Sequence, residues 1–280
     1  MALNFDLIGK PSDPLTHKYA WKDCVLYALG VGATTAAELD FLFEMNGPKA
    51  LPTFAVVPSF SAMLSVCGRL GANMAMVVHG EQAINLLRPI PPSGSLETRA
   101  VVEGIFDKGK GALAVVRADT TDERGEPLFT NKFSIFIRGA GGFGGERGPD
   151  AGSGELPTRA PDFAVTETTS PDQAALYRLS GDYNPLHISP MFATQVGFAR
   201  PILHGLCTYG IAGRAVLRHA AGGNVAKLTS FGARFAAPVF PGDTLTTEGW
   251  ANGDGTFAVQ VKNQDGKAVL SHSTATIAAA

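Results

Sequence analysis

The chain has 280 residues, of which 45% are hydrophobic and 17% charged, and its formal net charge is −2. That is apolar material for one large core or two medium ones, and the near-neutral balance excludes a general attraction to nucleic acid or to an anionic membrane. No run reaches the ~18 apolar residues of a membrane helix. The start MALNFDLIGK lacks the charged-then-apolar pattern of a secretory signal. Cys24, Cys67 and Cys207 are odd in number and without metal-ligand spacing, which fits reduced thiols inside a cell. The end Ala278-Ala279-Ala280 is not the peroxisomal Ser-Lys-Leu address, so the expectation is a cytoplasmic protein.

Taken in order, the chain reads as the same unit twice. An entry strand and a short helix (residues 21–29) lead through a loop to a longer helix-like segment, LPTFAVVPSFSAML (51–64), and then to β-rich runs. Residues 171–179 repeat the short helix, a second loop follows, and residues 205–220 form the second long helix, closed by Gly222-Gly223. Strands are predicted at 227–235, 244–251, 255–263 and 268–277 from their Val, Thr and Phe enrichment and alternation. Tyr27-Ala28-Leu29 aligns with Tyr177-Arg178-Leu179, Pro52 with Pro201, RPIPPSGSL (88–96) with APVFPGDTL (237–245), and residues 125–136 with 266–277. Between the copies lies the Gly- and Pro-rich stretch 139–161, which reads as a linker or exposed loop. The organisation expected is therefore an N-terminal repeat (1–138), a linker (139–161) and a C-terminal repeat (162–280). Each repeat is an antiparallel sheet wrapped around a central helix, an α+β tandem hot-dog arrangement.

The copies differ in their chemistry. Asp182, Asn184, His187 and His204 of the second copy stand where the first has Gly32, Thr34, Ala37 and Ala55. Residues needed only for folding belong in both copies; residues present in one are better explained by a reaction performed once. A carboxylate and an imidazole five residues apart on a Pro-containing loop can reach one small molecule, such as a water, and suit general acid–base work. Gly205 opens the second long helix, where free N–H groups and the dipole favour developing negative charge. Pro58, inside the segment matching that helix, predicts that the first copy's helix is short, kinked or displaced. The space so left would be an apolar cavity, lined by Phe54, Val57, Phe60, Met63 and Leu64.

The runs YRLSGDYNPLH and GFARPILHGLCTYG, with YALGVGA, LPTFAV, VVHGEQ, GGFGGERG and ARFAAPVFPGDTL, resemble the enoyl-CoA hydratase 2 family. These are MaoC-like, (R)-specific hydratases of the hot-dog fold, present also in peroxisomal multifunctional enzyme type 2. The resemblance implies reversible hydration of trans-2-enoyl-CoA to (3R)-3-hydroxyacyl-CoA in fatty-acid β-oxidation or related acyl-CoA metabolism, by a homodimer without metal or redox cofactor. It implies that Asp182 and His187 hold and activate one water, that Asn184 adds a supporting hydrogen bond, and that the Gly205 N–H meets the thioester oxygen. It carries substrate or CoA contact over to His79, Gly80, Lys108, Tyr183, Pro185, Leu186 and Phe235. By its sequence alone, Lys108 in DKGKG reads first as a solvated turn lysine. Arg200, Arg214, Arg218 and Lys227 are further candidates for the CoA phosphates. His204 has two readings, orienting the loop or packing. The rival activities are a hot-dog thioesterase, a dehydratase acting on acyl-carrier protein, a non-catalytic acyl-CoA binder, and an iron centre of Asp182, His187 and His204. The wide separation of the two histidines in sequence counts against the last.

Overall fold

The computed structural model describes residues 3–148 and 155–279. The first half contains β1 (Leu15–Tyr19), α1 (Trp21–Gly30), α2 (Val56–Arg69), β2 (Val77–Leu86), β3 (Gly94–Asp107), β4 (Gly111–Thr121) and β5 (Pro127–Arg138). The second contains β6 (Phe163–Thr168), α3 (Gln173–Tyr177), α4 (Pro190–Gln195), α5 (Gly205–His219), β7 (Leu228–Phe235), β8 (Thr244–Ala251), β9 (Thr256–Asn263) and β10 (Ala268–Ile277). All ten strands join one antiparallel sheet in the order β1-β3-β4-β5-β2-β7-β10-β9-β8-β6. Read inward from either edge, the order is the same. Replacing β1, β3, β4, β5 and β2 by β6, β8, β9, β10 and β7 maps one half onto the other, so the sequence repeat is a structural repeat about the β2–β7 seam. The predicted second-half strands match the observed ones to within a residue.

α2 does not follow the expectation drawn from Pro58. A 3-10 turn at Pro52–Ala55 runs straight into a 14-residue helix, against 15 residues for α5. Pro58 is the third residue of α2, within the first turn, where a missing N–H costs little. The helix is neither short nor displaced: Pro58, Ala62, Met63, Val66 and Cys67 are buried in it, and they fill the sheet. Phe54 and Met63 are core residues, and Leu64 is exposed. An empty sheet lined by these five residues is therefore not what the first repeat provides.

The stretch read as a linker or exposed loop is, over residues 139–148, a loop docked on the end of β3. The carboxylate of Asp107, at the end of β3, accepts N–H bonds from Gly109 (2.8 Å), Gly142 (2.9 Å) and Gly144 (2.8 Å). Phe143 packs edge-on against Phe5 at 5.0 Å. A Cβ on Gly141 would meet the carbonyl of Gly109 at 2.6 Å, so only glycine allows this close approach. Residues 149–154 of that stretch lie outside the described residues.

The two helices differ in how they are covered. α5 is buried from Leu206 through Leu217, whereas Ser61, Leu64, Ser65 and Gly68 of α2 are exposed. The cover on α5 is the end of α1 and the loop after it. Side chains at Gly210 and Gly213 would collide with Val31 and Thr53. Arg214 holds this cover down: its Nε donates to the Val31 carbonyl (3.1 Å), Nη1 to Glu38 (2.6 Å) and Nη2 to Glu167 of β6 (2.6 Å). Arg214 and Glu38 are 4% and 6% exposed. Removing one member of a buried ion cluster leaves an uncompensated charge, which costs about 3–5 kcal/mol. Arg214→Ala is expected to lose that much in urea denaturation; a loss under about 1 kcal/mol would put the cluster in the class of surface pairs.

Candidate active site

Two short-range hydrogen bonds shape the loop after α3. Gly181 takes φ 119°, a left-handed turn that favours glycine, and turns the chain out of the 3-10 turn Arg178–Ser180. Asp182 Oδ1 then accepts the Asn184 N–H (3.2 Å), and Asn184 Oδ1 accepts the Leu186 N–H (3.0 Å), capping the 3-10 turn Pro185–His187. The segment 200–204 approaches from the other side, held extended before Pro201. His187 Nδ1 donates to the Ile202 carbonyl (2.9 Å), and His204 Nε2 donates to the Asp182 carbonyl (3.1 Å). A carbonyl can only accept, so each bond sets a tautomer. His187 keeps its Nε2 lone pair and His204 its Nδ1 lone pair. The two imidazoles stack at 3.7 Å, with 28° between their planes.

One ligating atom from each of Asp182, His187 and His204 lies within 4.8 Å of the others. The structure thus joins residues that the sequence separates, which removes the sequence-spacing objection to an iron site. Each imidazole gives one nitrogen to a carbonyl and keeps a lone pair on the other, an arrangement that suits proton handling beside a carboxylate.

Burial sets the charge states. It raises the Asp182 carboxyl above its ordinary 3.8, opposed by attraction to His187 and by the Asn184 N–H. It lowers His187 below its ordinary 6.5, opposed by Asp182. Burial also lowers His204, to about 3, reinforced by repulsion from His187. The pair therefore joins an imidazole held toward its neutral form and a carboxyl of raised basicity.

Gly205, exposed at the first position of α5, lies beside the pair because His204 precedes it. Helix-start N–H groups have no carbonyl within the helix to bond. A Cβ on Gly205 would lie 3.1 Å from the Phe235 ring, at the end of β7, and that ring meets His79 of β2 edge-on at 4.9 Å. The β2–β7 seam brings Glu81 opposite Arg234, and so His79 and Gly80 of the first half beside Phe235 and Gly205 of the second. His79 Nε2 bonds the Glu81 carbonyl (3.0 Å) across a register shift at Gly80, and burial lowers its pKa to about 4. Tyr183 is 60% exposed under the Arg178 guanidinium, 5.2 Å from its carbon. Pro185 is exposed and Leu186 half-buried. Lys108 sits in the β3–β4 turn. The pairings His79–Ile135, Ile135–Ala114 and Ala114–Ile105 put that turn at the same end of the sheet as His79. Sequence reasoning missed the Ile202 carbonyl as the group that fixes the His187 tautomer; Pro201 beside it was the available signal.

Residues 17–139 match the model of the MFE-2 hydratase 2 N-terminal domain, and residues 153–273 that of the MaoC-like domain. The probable enoyl-CoA hydratase 2 of Dictyostelium discoideum is 41% identical over 97% of this chain and 95% of its own length. The chain belongs to the MaoC-like enoyl-CoA hydratase 2 family. The 3-hydroxyacyl-thioester dehydratase Y of Mycobacterium tuberculosis is 44% identical over 95% of this chain and 94% of its own. The solved MaoC-like dehydratase from Phytophthora capsici superposes on this hydratase 2 family fold with a TM-score of 0.87, at 34% identity over 99% of this chain and 100% of that one.

The raised carboxyl carries a stability consequence. A folded-state pKa above the unfolded one means that ionising Asp182 works against the fold increasingly as pH rises from 3.8 through the folded-state value. Asp182→Asn is therefore expected to leave the melting temperature at pH 7 unchanged or raised, as Gly32 at the matching place in the first repeat also indicates. A clear drop would make Asp182 a structural residue.

Proposed function

We propose that the chain catalyses reversible addition of water to trans-2-enoyl-CoA, giving (3R)-3-hydroxyacyl-CoA, within acyl-CoA metabolism of the β-oxidation kind. The observation that carries this reading is the convergence of two proton acceptors, Asp182 and the His187 Nε2, next to the exposed N-terminus of α5 at Gly205. The relatives named enoyl-CoA hydratase and hydroxyacyl-thioester dehydratase describe the two directions of one such reaction.

In this mechanism the thioester oxygen accepts from the Gly205 N–H, which withdraws charge from C3 and stabilises the enolate-like transition state; one donor of this kind is worth about 3 kcal/mol. Asp182 and His187 hold one water against C3. As its oxygen bonds to C3, the pair takes one proton and returns it to C2, so the site ends in its starting protonation state. Proton transfer by positioned groups supplies about 10²–10⁴-fold. The acyl tail would lie along the uncovered face of α2, where Val57, Phe60 and Leu64 form an apolar stripe at helical spacing that is half-buried to exposed. The CoA end would lie across His79, Gly80 and Phe235 toward the Lys108 turn.

Purified protein mixed with crotonyl-CoA is expected to bleach the enoyl thioester absorbance without releasing thiol. The product should be oxidised by an (R)-specific 3-hydroxyacyl-CoA dehydrogenase. Free CoA would indicate a thioesterase instead, and oxidation only by an (S)-specific enzyme would remove the stereochemical assignment. Asp182→Asn and His187→Ala should each lose about 10²-fold or more, with the double variant far from additive because both act on one water. Since burial holds His187 below 6.5, the acid limb of kcat/KM is expected below that pH; a limb above it would contradict a neutral, buried imidazole. Leu64→Asp should depress turnover of decenoyl-CoA and spare crotonyl-CoA, each buried methylene being worth about 0.8 kcal/mol. Equal effects on both substrates would place the tail elsewhere.

A further inference from the structure

His204 is a histidine that the fold does not require. The first repeat starts α2 after Ala55 at the matching position and still completes a full helix. As the residue preceding α5, His204 makes no side-chain cap bond to the helix. It is 1% exposed, and its Nδ1 has no hydrogen-bond partner. A buried polar atom left unpaired is costly, by about 1–3 kcal/mol, so the residue works against the fold where alanine would serve.

Its side-chain hydrogen bond and its ring contacts are with the reacting pair and with Tyr177. Nε2–H holds the Asp182 main chain by the carbonyl, its ring stacks on His187, and the Tyr177 ring of α3 lies 4.9 Å away, tilted by 52°. The charged and titratable groups around it are His187 and Asp182 from the loop, Arg178 from the 3-10 turn and Tyr177 from α3. We infer that His204 is a positioning residue: its N–H fixes the Asp182 backbone, and its ring is the platform that orients His187 Nε2 toward the shared water. The inference rests on the hydratase reading for its kinetic test and on geometry alone for its spectroscopic one. Displacement of a reacting group by about 1 Å can cost on the order of 10²-fold in rate, and a group acting only through others changes kcat more than KM.

Three variants separate the two contacts. His204→Phe keeps a ring under His187 and removes the N–H; about 10²-fold loss in kcat with little change in KM is expected. His204→Gln supplies an amide N–H in place of the imidazole and should recover about tenfold over the Phe variant. His204→Ala removes both and admits water beside His187, so the acid limb of the pH profile should move to higher pH. Nuclear magnetic resonance titration of the His187 imidazole reads the same contact without turnover: its pKa should rise in the Ala variant and stay put in the Phe variant. Wild-type kcat in His204→Phe, equal losses in the Phe and Gln variants that track their melting temperatures, or an unmoved His187 titration in His204→Ala would each overturn the inference. A parent protein that hydrates no enoyl-CoA would instead overturn the reading of the site, and the titration would still decide the role of His204.

Discussion

The pairing of β2 with β7 is the constraint on which the rest depends. Each repeat alone would end in an open strand edge, a row of unpaired N–H and C=O groups that invites association. Joining the two edges, with Glu81 opposite Arg234 and their side chains hydrogen-bonded at 2.9 Å, turns two five-stranded sheets into one of ten. The same join places His79 against Phe235, and Phe235 against Gly205. The candidate site is therefore built across the seam: the loop of Asp182 and His187 and the helix terminus come from the second repeat, and part of the wall comes from the first.

The duplication then diverges in one physical respect, how each central helix is closed. In the second repeat, Arg214 of α5 fastens the loop that follows α1 through Val31 and Glu38, and Gln173 of α3 donates to the Gly30 carbonyl at 2.6 Å. That loop, the counterpart of the catalytic loop, has exchanged an acid–base pair for a buried ion cluster. α2 carries no such cover, and its outer face remains available. The covered helix thus lies in the repeat whose own loop carries the acid–base pair, and the uncovered helix in the repeat whose loop lacks it.

Much of this was legible in the sequence because it depends on local rules. The strand runs of the second half are alternating and β-branched, Gly205 follows an extended Pro-containing segment, and Asp182-Asn184-Pro185 is a turn whose chemistry names itself. The misreadings came where register or distance decides. Pro58 looks helix-breaking until its place is known: three residues into α2 it falls in the one turn that tolerates proline. Gly142 and Gly144 lie in the stretch read as a linker or exposed loop; they are exposed, and their bonds to the Asp107 carboxylate are the contact the sequence does not announce. The stacking of His187 on His204, 17 positions apart, and the ion cluster joining Glu38, Glu167 and Arg214 are long-range contacts, and a single sequence carries no signal for them.

The central claim is that chemistry occurs only where the second repeat's loop meets the start of α5, with the tail carried by the first repeat. A crystal structure with an unreactive medium-chain acyl-CoA analogue tests it most directly. The account predicts the thioester oxygen within hydrogen-bond distance of the Gly205 N–H, C3 facing Asp182 and His187, and the tail along Val57, Phe60 and Leu64. A thioester seated at the start of α2, beside residues 32–37, would contradict it.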